Sequence, residues 1–146
     1  MIVKIFKAVW FLSLLASVAL LLYVYASLPT DVLIGEGERS LAATRESIFY
    51  TATLFLALSN CLVFFSSRIY GANDGFFQAW FFGLITISNL FADVALQFIN
   101  VTNSAEKFDY SQIGWTIYGS LSLLIIWATL FPILQFTKRM PGKRHV

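Results

Sequence analysis

Four stretches of this chain, roughly residues 6–27, 47–67, 76–100 and 111–136, are almost free of charge, with Lys7 and Asp93 as their only ionisable acidic or basic side chains. A run of about 20 apolar residues is what a helix needs to cross a ~30 Å hydrocarbon layer. Inside lipid such a run must satisfy its own backbone, which a helix does within the segment. Only 12% of the residues are charged and 58% are hydrophobic, whereas a soluble domain carries about 25% charged residues. There is too little polar surface to cover a water-soluble globule. The expectation is an all-α integral membrane protein. It is a single domain over residues 1–146, an antiparallel bundle of four helices with outer loops at 28–46 and 101–110.

Loop charge sets the expected orientation, because Lys and Arg bias short loops toward the cytoplasm. Lys4 and Lys7 stand just before and at the very start of the first span, and Lys138, Arg139, Lys143 and Arg144 follow the last. Between the first two spans, Asp31, Glu36, Glu38 and Glu46 outnumber Arg39 and Arg45; after the third, Glu106 and Asp109 outnumber Lys107. Both termini are therefore expected in the cytoplasm and both acidic loops outside. Trp10, Tyr23, Tyr25, Tyr50, Trp80 and Trp115 fall near the expected helix ends, where amphipathic rings favour the interface. Val24-Tyr25-Ala26 satisfies a signal-peptidase rule, but the apolar run before it exceeds the 7–15 residues of a usual signal core. The first span is read as retained.

Cysteine and histidine narrow the chemistry. Cys61 is the sole cysteine, so no intramolecular disulfide or cysteine-built metal site can form. His145, the sole histidine, sits in the basic tail, which leaves no histidine to hold a haem inside the membrane. No nucleophile-plus-base pattern, glycine-rich phosphate loop or Walker lysine is present. No cofactor and no enzymatic activity are expected.

Polar residues inside the spans carry most of the remaining information. At 100° per residue, Thr86, Asn89, Asp93, Gln97 and Asn100 gather within about 40° of Asp93 on the third helix. Lipid satisfies neither amides nor carboxylates, so this stripe should face other helices. On the fourth helix Ser111, Gly114, Tyr118, Ser122 and Thr129 share a side, and small residues permit close approach. Matching depths place Tyr118 opposite Asp93, about 10 Å below the outer border. Thr53 and Asn60 share a face of the second helix, with Asn60 near the depth of Asn89. The expected intramembrane polar core is thus Asn60, Asn89, Asp93, Gln97 and Tyr118, where helices 2 to 4 meet.

Two readings of that core compete. Buried amides and hydroxyls stabilise helix association by ~0.6 kcal/mol each, which makes the core structural. Intramembrane acids are often functional, which would make Asp93 a proton or cation site. With no second acid or base in the spans to complete a relay, the structural reading leads.

Outside the spans the signals are weaker. Val32-Leu33-Ile34 before Gly-Glu-Gly-Glu fits a short strand and turn or a patch on the bilayer surface, and the loop's acids are read as solvated and not as a cation site. Glu36 and Glu38 lack a third ligand for a divalent cation. Asn100-Val-Thr102 matches a glycosylation pattern that matters only in a secretory pathway. The tail cluster Lys138, Arg139, Lys143 and Arg144 is read as a lipid-headgroup anchor, worth ~1 kcal/mol per residue. It has neither the charge nor the folded module of a nucleic-acid site, and none is expected.

The run Leu28-Pro-Thr-Asp-Val-Leu-Ile-Gly-Glu-Gly-Glu38, with Gln97-Phe-Ile-Asn100 and Glu106-Lys-Phe-Asp-Tyr-Ser111, resembles small four-helix membrane proteins of Bacteroidetes-type bacteria. The resemblance spans the whole chain and implies a bacterial inner membrane; it supplies no activity or site residues. The expected role is a small non-enzymatic accessory or scaffold subunit of an inner-membrane complex. Its partners would be the lipid bilayer and a membrane protein or further copies of itself. The alternative is a small transporter or channel component binding a proton or cation at Asp93.

Overall fold

The structure, a computed structural model, describes residues 1–34, 41–69, 75–104 and 110–139. Its elements are α1 (Ile2–Ser27), β1 (Asp31–Ile34), β2 (Leu41–Thr44), α2 (Arg45–Ile69), α3 (Gly75–Thr102) and α4 (Tyr110–Arg139). At 1.5 Å per residue the helices are about 38–45 Å long, more than the hydrocarbon thickness. All four are long and apolar enough to cross a membrane. Their outward surface is rich in bare apolar side chains such as Leu12, Phe64 and Ile126, the surface of a multi-pass membrane protein.

Local chemistry sets the helix ends. Leu28 precedes Pro29 and adopts φ −72°, ψ 142°, an extended conformation that stops α1. Thr44 caps α2, its Oγ1 accepting from the Ser47 amide at 3.2 Å.

Packing departs from the expected meeting of helices 2 to 4. Helix α3 is the hub, in contact with α1, α2 and α4. Contacts between α1 and α3 run from Trp10–Phe82 to Ser27–Asn100, so these two helices point the same way. On α2, Asn60 meets Asn89, and on α4, Trp127 meets Trp80. One apolar cluster, including Leu21, Val24, Val32, Leu56 and Leu96, fills the hairpin end. A second, of Trp10, Val63, Phe82 and Ile85, fills the opposite half.

Of the readings open for Val32-Leu33-Ile34, the structure takes the short strand. Residues 31–34 form β1, paired antiparallel with β2 in the register Val32↔Ala43. Val32 is fully buried against the helices, and that burial holds the strand to the bundle. The hairpin is also tethered: Asn103 accepts from the Leu33 amide at 2.8 Å and donates to the Leu33 carbonyl at 2.9 Å. One side-chain amide thus pairs a strand edge as a neighbouring strand would. Glu36, Glu38, Arg39, Glu106, Lys107 and Asp109 lie outside the described residues.

Candidate functional site

The middle of the helix cluster holds a closed hydrogen-bond network. Asn60 donates to Asn89 Oδ1 at 2.9 Å, and Asn89 donates back to Asn60 Oδ1 at 3.3 Å. Trp10 Nε1 donates to Asn60 Oδ1 at 2.8 Å. Asn89 Nδ2 donates to Ser13 Oγ at 3.0 Å, and Ser13 in turn donates to the Trp10 carbonyl at 2.8 Å. Asn60 also reaches the Leu56 carbonyl at 2.8 Å. Both asparagines are buried, and every amide group has a partner. Such a network joins α1, α2 and α3 and leaves nothing for a ligand to satisfy.

The sequence put Asn60 near the depth of Asn89, and the structure joins them; the contribution of α1 was missed. Trp10, expected in the interfacial belt, is only 9% exposed. The available signal was spacing: Trp10, Ser13 and Ser17 stand at i, i+3 and i+7, one helix face.

Asp93 sits on α3 at the border between α1 and α4. The Ser17 hydroxyl, fully buried, stands beside its carboxyl. Beyond each other, Ser17 Oγ and Asp93 Oδ1 have no hydrogen-bond partner. On its other side Asp93 lines a crevice between α3 and α4 of about 270 Å³, with Gln97 and Thr116 among its walls. Gln97 is itself exposed; it edges this crevice and does not enter the interior core.

Tyr118 does not meet Asp93. It is 68% exposed, and the covered side of α4 is instead Ile117, Ser120, Leu124, Trp127 and Phe131. The polar stripe of Tyr118, Ser122 and Thr129 points away from α3. Two physical reasons account for this. Thr129 returns its hydroxyl to the Ile125 carbonyl at 2.9 Å, so it can face lipid without an orphaned donor. Tyr118 lies about 12 Å along α4 and its side chain leans toward the helix start, so its hydroxyl can reach the interface.

What holds α4 is aromatic. Trp80 Nε1 donates to the Trp127 carbonyl at 2.8 Å, and Trp127 Nε1 donates to the Trp80 carbonyl at 2.9 Å. Phe131 stacks on Trp80 with centroids 4.8 Å apart. All of this lies toward the chain-terminal end of the cluster. The Asp93 crevice lies between α3 and α4 nearer the hairpin end, walled mainly by Leu90, Val94 and Val101 with Thr116 from α4.

A second groove, about 330 Å³, runs between α2 and α3 beneath the hairpin, lined by Ile48, Ala52, Phe55, Phe91, Ala95 and Ile99 among others. It is the roomier but offers little beyond apolar surface. The backbone of Lys138 and Arg139 closes α4; their side chains, with Lys143 and Arg144 altogether, lie outside the described residues.

Comparison with family models, with curated proteins and with solved structures found no match for this chain.

Proposed function

We propose that the protein is a non-catalytic accessory or scaffold subunit of a bacterial inner-membrane assembly, built as an antiparallel four-helix bundle with both termini in the cytoplasm. The supporting observation is the uneven burial of the helices. Helices α1 to α3 share a satisfied polar network and two apolar clusters. In contrast, α4 has the least buried span of the four, with 11% of its window covered. Its outward side carries Tyr118, Ser122 and Thr129 beside Gly114 and Gly119, at which an added Cβ would meet nothing within 4 Å. Small and hydroxyl-bearing residues are what membrane helices present to one another. The partner on this reading is a transmembrane helix of another protein laid along α4.

Affinity purification of the full chain in a mild detergent tests this. A membrane protein is expected to co-elute in fixed ratio, and to be lost from Gly119→Leu/Ser122→Leu, which crowds the outer side of α4. The same variant should keep the wild-type melting curve when isolated. Asp93→Asn, nearly isosteric, is expected to leave the assembly intact. Elution of the chain alone, or only with copies of itself, would overturn the reading.

A further inference from the structure

The groove of about 330 Å³ between α2 and α3 is a slot with closed ends. Its α2 wall runs from Ser47 to Phe55 and its α3 wall from Phe91 to Ile99, a rise of about 12 Å along each helix. Ile34 of β1 and Ala43 of β2 line one end, on a hairpin held down by the buried Val32 and the Asn103 tether. Just past the other end, Asn60 and Asn89 draw the two helices together at 2.9 Å. Ala52 on α2 and Ala95 on α3 leave the width between, where larger side chains would close it. Both walls belong to helices long and apolar enough to cross a membrane. Thr51 and Phe55 at the rim are exposed, so the slot opens sideways to lipid.

Size and chemistry separate the possible occupants. Water needs two to four polar partners, and among the described residues Ser47 and Thr51 supply the only polar side chains of the lining. The Ser47 hydroxyl is already paired with that of Thr44 at 2.8 Å. A helix is about 10 Å across and a spanning one about 30 Å long, so the strand pair overhead stops one from lying along the slot. Left empty, the walls would forgo dispersion contacts. A single hydrocarbon chain is thin, flexible and as apolar as the walls. Polarity also gives it a direction. The two hydroxyls stand at the hairpin end, and the rings of Phe55 and Phe91 at the other. A lipid tail has the same gradient, from its ester at the interface to its methyl end near mid-membrane.

We propose that the α2–α3 slot binds one acyl chain of a membrane phospholipid from the leaflet on the hairpin side. The ester end lies beside Ser47 and Thr51, and the methyl end beside Phe55 and Phe91. The chain fills the space under Ile34 and Ala43 and so completes the packing of the hairpin onto the helices. The proposal is independent of the accessory-subunit reading, which concerns α4.

Photo-crosslinking of the full chain in phospholipid nanodiscs tests it. The probe is phosphatidylethanolamine with a diazirine near either the ester or the methyl end of one chain, and adducts are mapped by mass spectrometry. Methyl-end label is expected on Phe55 and Phe91, and ester-end label on Ser47 and Thr51. Both should exceed the label on openly exposed side chains such as Leu12 and Ile126. Ala52→Leu/Ala95→Leu fills the slot and should cut slot labelling by about tenfold or more, the scale of two excluded methylenes, with Leu12 labelled as before. Ala95→Val, a smaller filler for the case in which the double variant fails to fold, should cut it about three- to fourfold, the scale of one. Label spread over all the helices in proportion to exposure would mean annular lipid only and overturn the proposal. So would slot labelling that survives the filling variants in folded protein, or the two probes marking the slot in reverse order. A slot protected from both probes would hold something other than a lipid tail and would also overturn it.

Discussion

Trp80 and Trp127 exchange hydrogen bonds, each indole N–H donating to the main-chain carbonyl of the other, at 2.8 and 2.9 Å. Each carbonyl belongs to a helix interior, so the indole shares an acceptor that the helix ladder also uses. The exchange fixes the distance between α3 and α4 and both ring orientations. Gly83 is part of the same fit, because a Cβ there would lie 2.6 Å from Trp127 Cζ2 and 2.9 Å from Cε2. The ring comes that close only because the residue beneath it has no side chain.

The first prediction concerns this fit. Trp127→Phe keeps an aromatic ring but removes the donor, and is expected to lower stability by about 1 kcal/mol. Gly83→Ala forces the indole aside, for about 1–3 kcal/mol. In the double variant the smaller ring frees the space, so the two losses should sum to more than the combined effect. Chemical or thermal unfolding in detergent measures all three. Strict additivity would show that the glycine and the tryptophan do not act as one unit.

A second prediction addresses the asparagine pair. Asn60→Leu strands Trp10 Nε1 and one side of Asn89, and is expected to destabilise by about 1–3 kcal/mol. Asn60→Leu/Asn89→Leu removes both amides of the pair and should cost less than the sum of the single substitutions. Trp10 fluorescence should shift in every variant carrying Asn60→Leu, since its indole N–H loses its acceptor. A Trp10 emission unchanged by Asn60→Leu would contradict the network.

The third prediction is local. Asn103→Ala cuts the two hydrogen bonds to Leu33 while leaving the buried Val32 in place. Amide exchange at Leu33 should accelerate, and the melting temperature should move by only a few degrees. Exchange at Leu33 as slow as in the wild type would mean that the hairpin is held from elsewhere.

A fourth prediction tests orientation in the membrane. With Cys61 replaced by Ala, a cysteine at Ser40 should react with an impermeant thiol reagent applied outside intact cells. A cysteine at Thr137 should react only after permeabilisation. Labelling of both positions from outside would refute cytoplasmic termini.

The number, type and extent of the helices were legible in the sequence, because spanning a hydrocarbon layer is a property of a linear run: length, apolarity and absence of charge. The reading of 47–67 became Arg45–Ile69 and that of 76–100 became Gly75–Thr102, differences confined to helix ends, which caps and local turns decide. That Asn60 lies near the depth of Asn89 was legible too, since depth in the membrane follows from residue count. Which face meets which neighbour was decided only by the tertiary structure. In lipid the surroundings are as apolar as a packed interior, so hydrophobic periodicity no longer separates inside from outside. That is why Trp10, Ser13 and Ser17 proved to be the interior face of α1, and why Tyr118 looks outward. Serine and threonine blur the pattern further, because a hydroxyl that returns to its own helix carbonyl is content on either side. Asn and Asp cannot satisfy all of their groups that way. Their positions pointed to the interior of α3, but the helix that would answer Asp93, α1 with Ser17, was set by how α3 came to lie among its three neighbours.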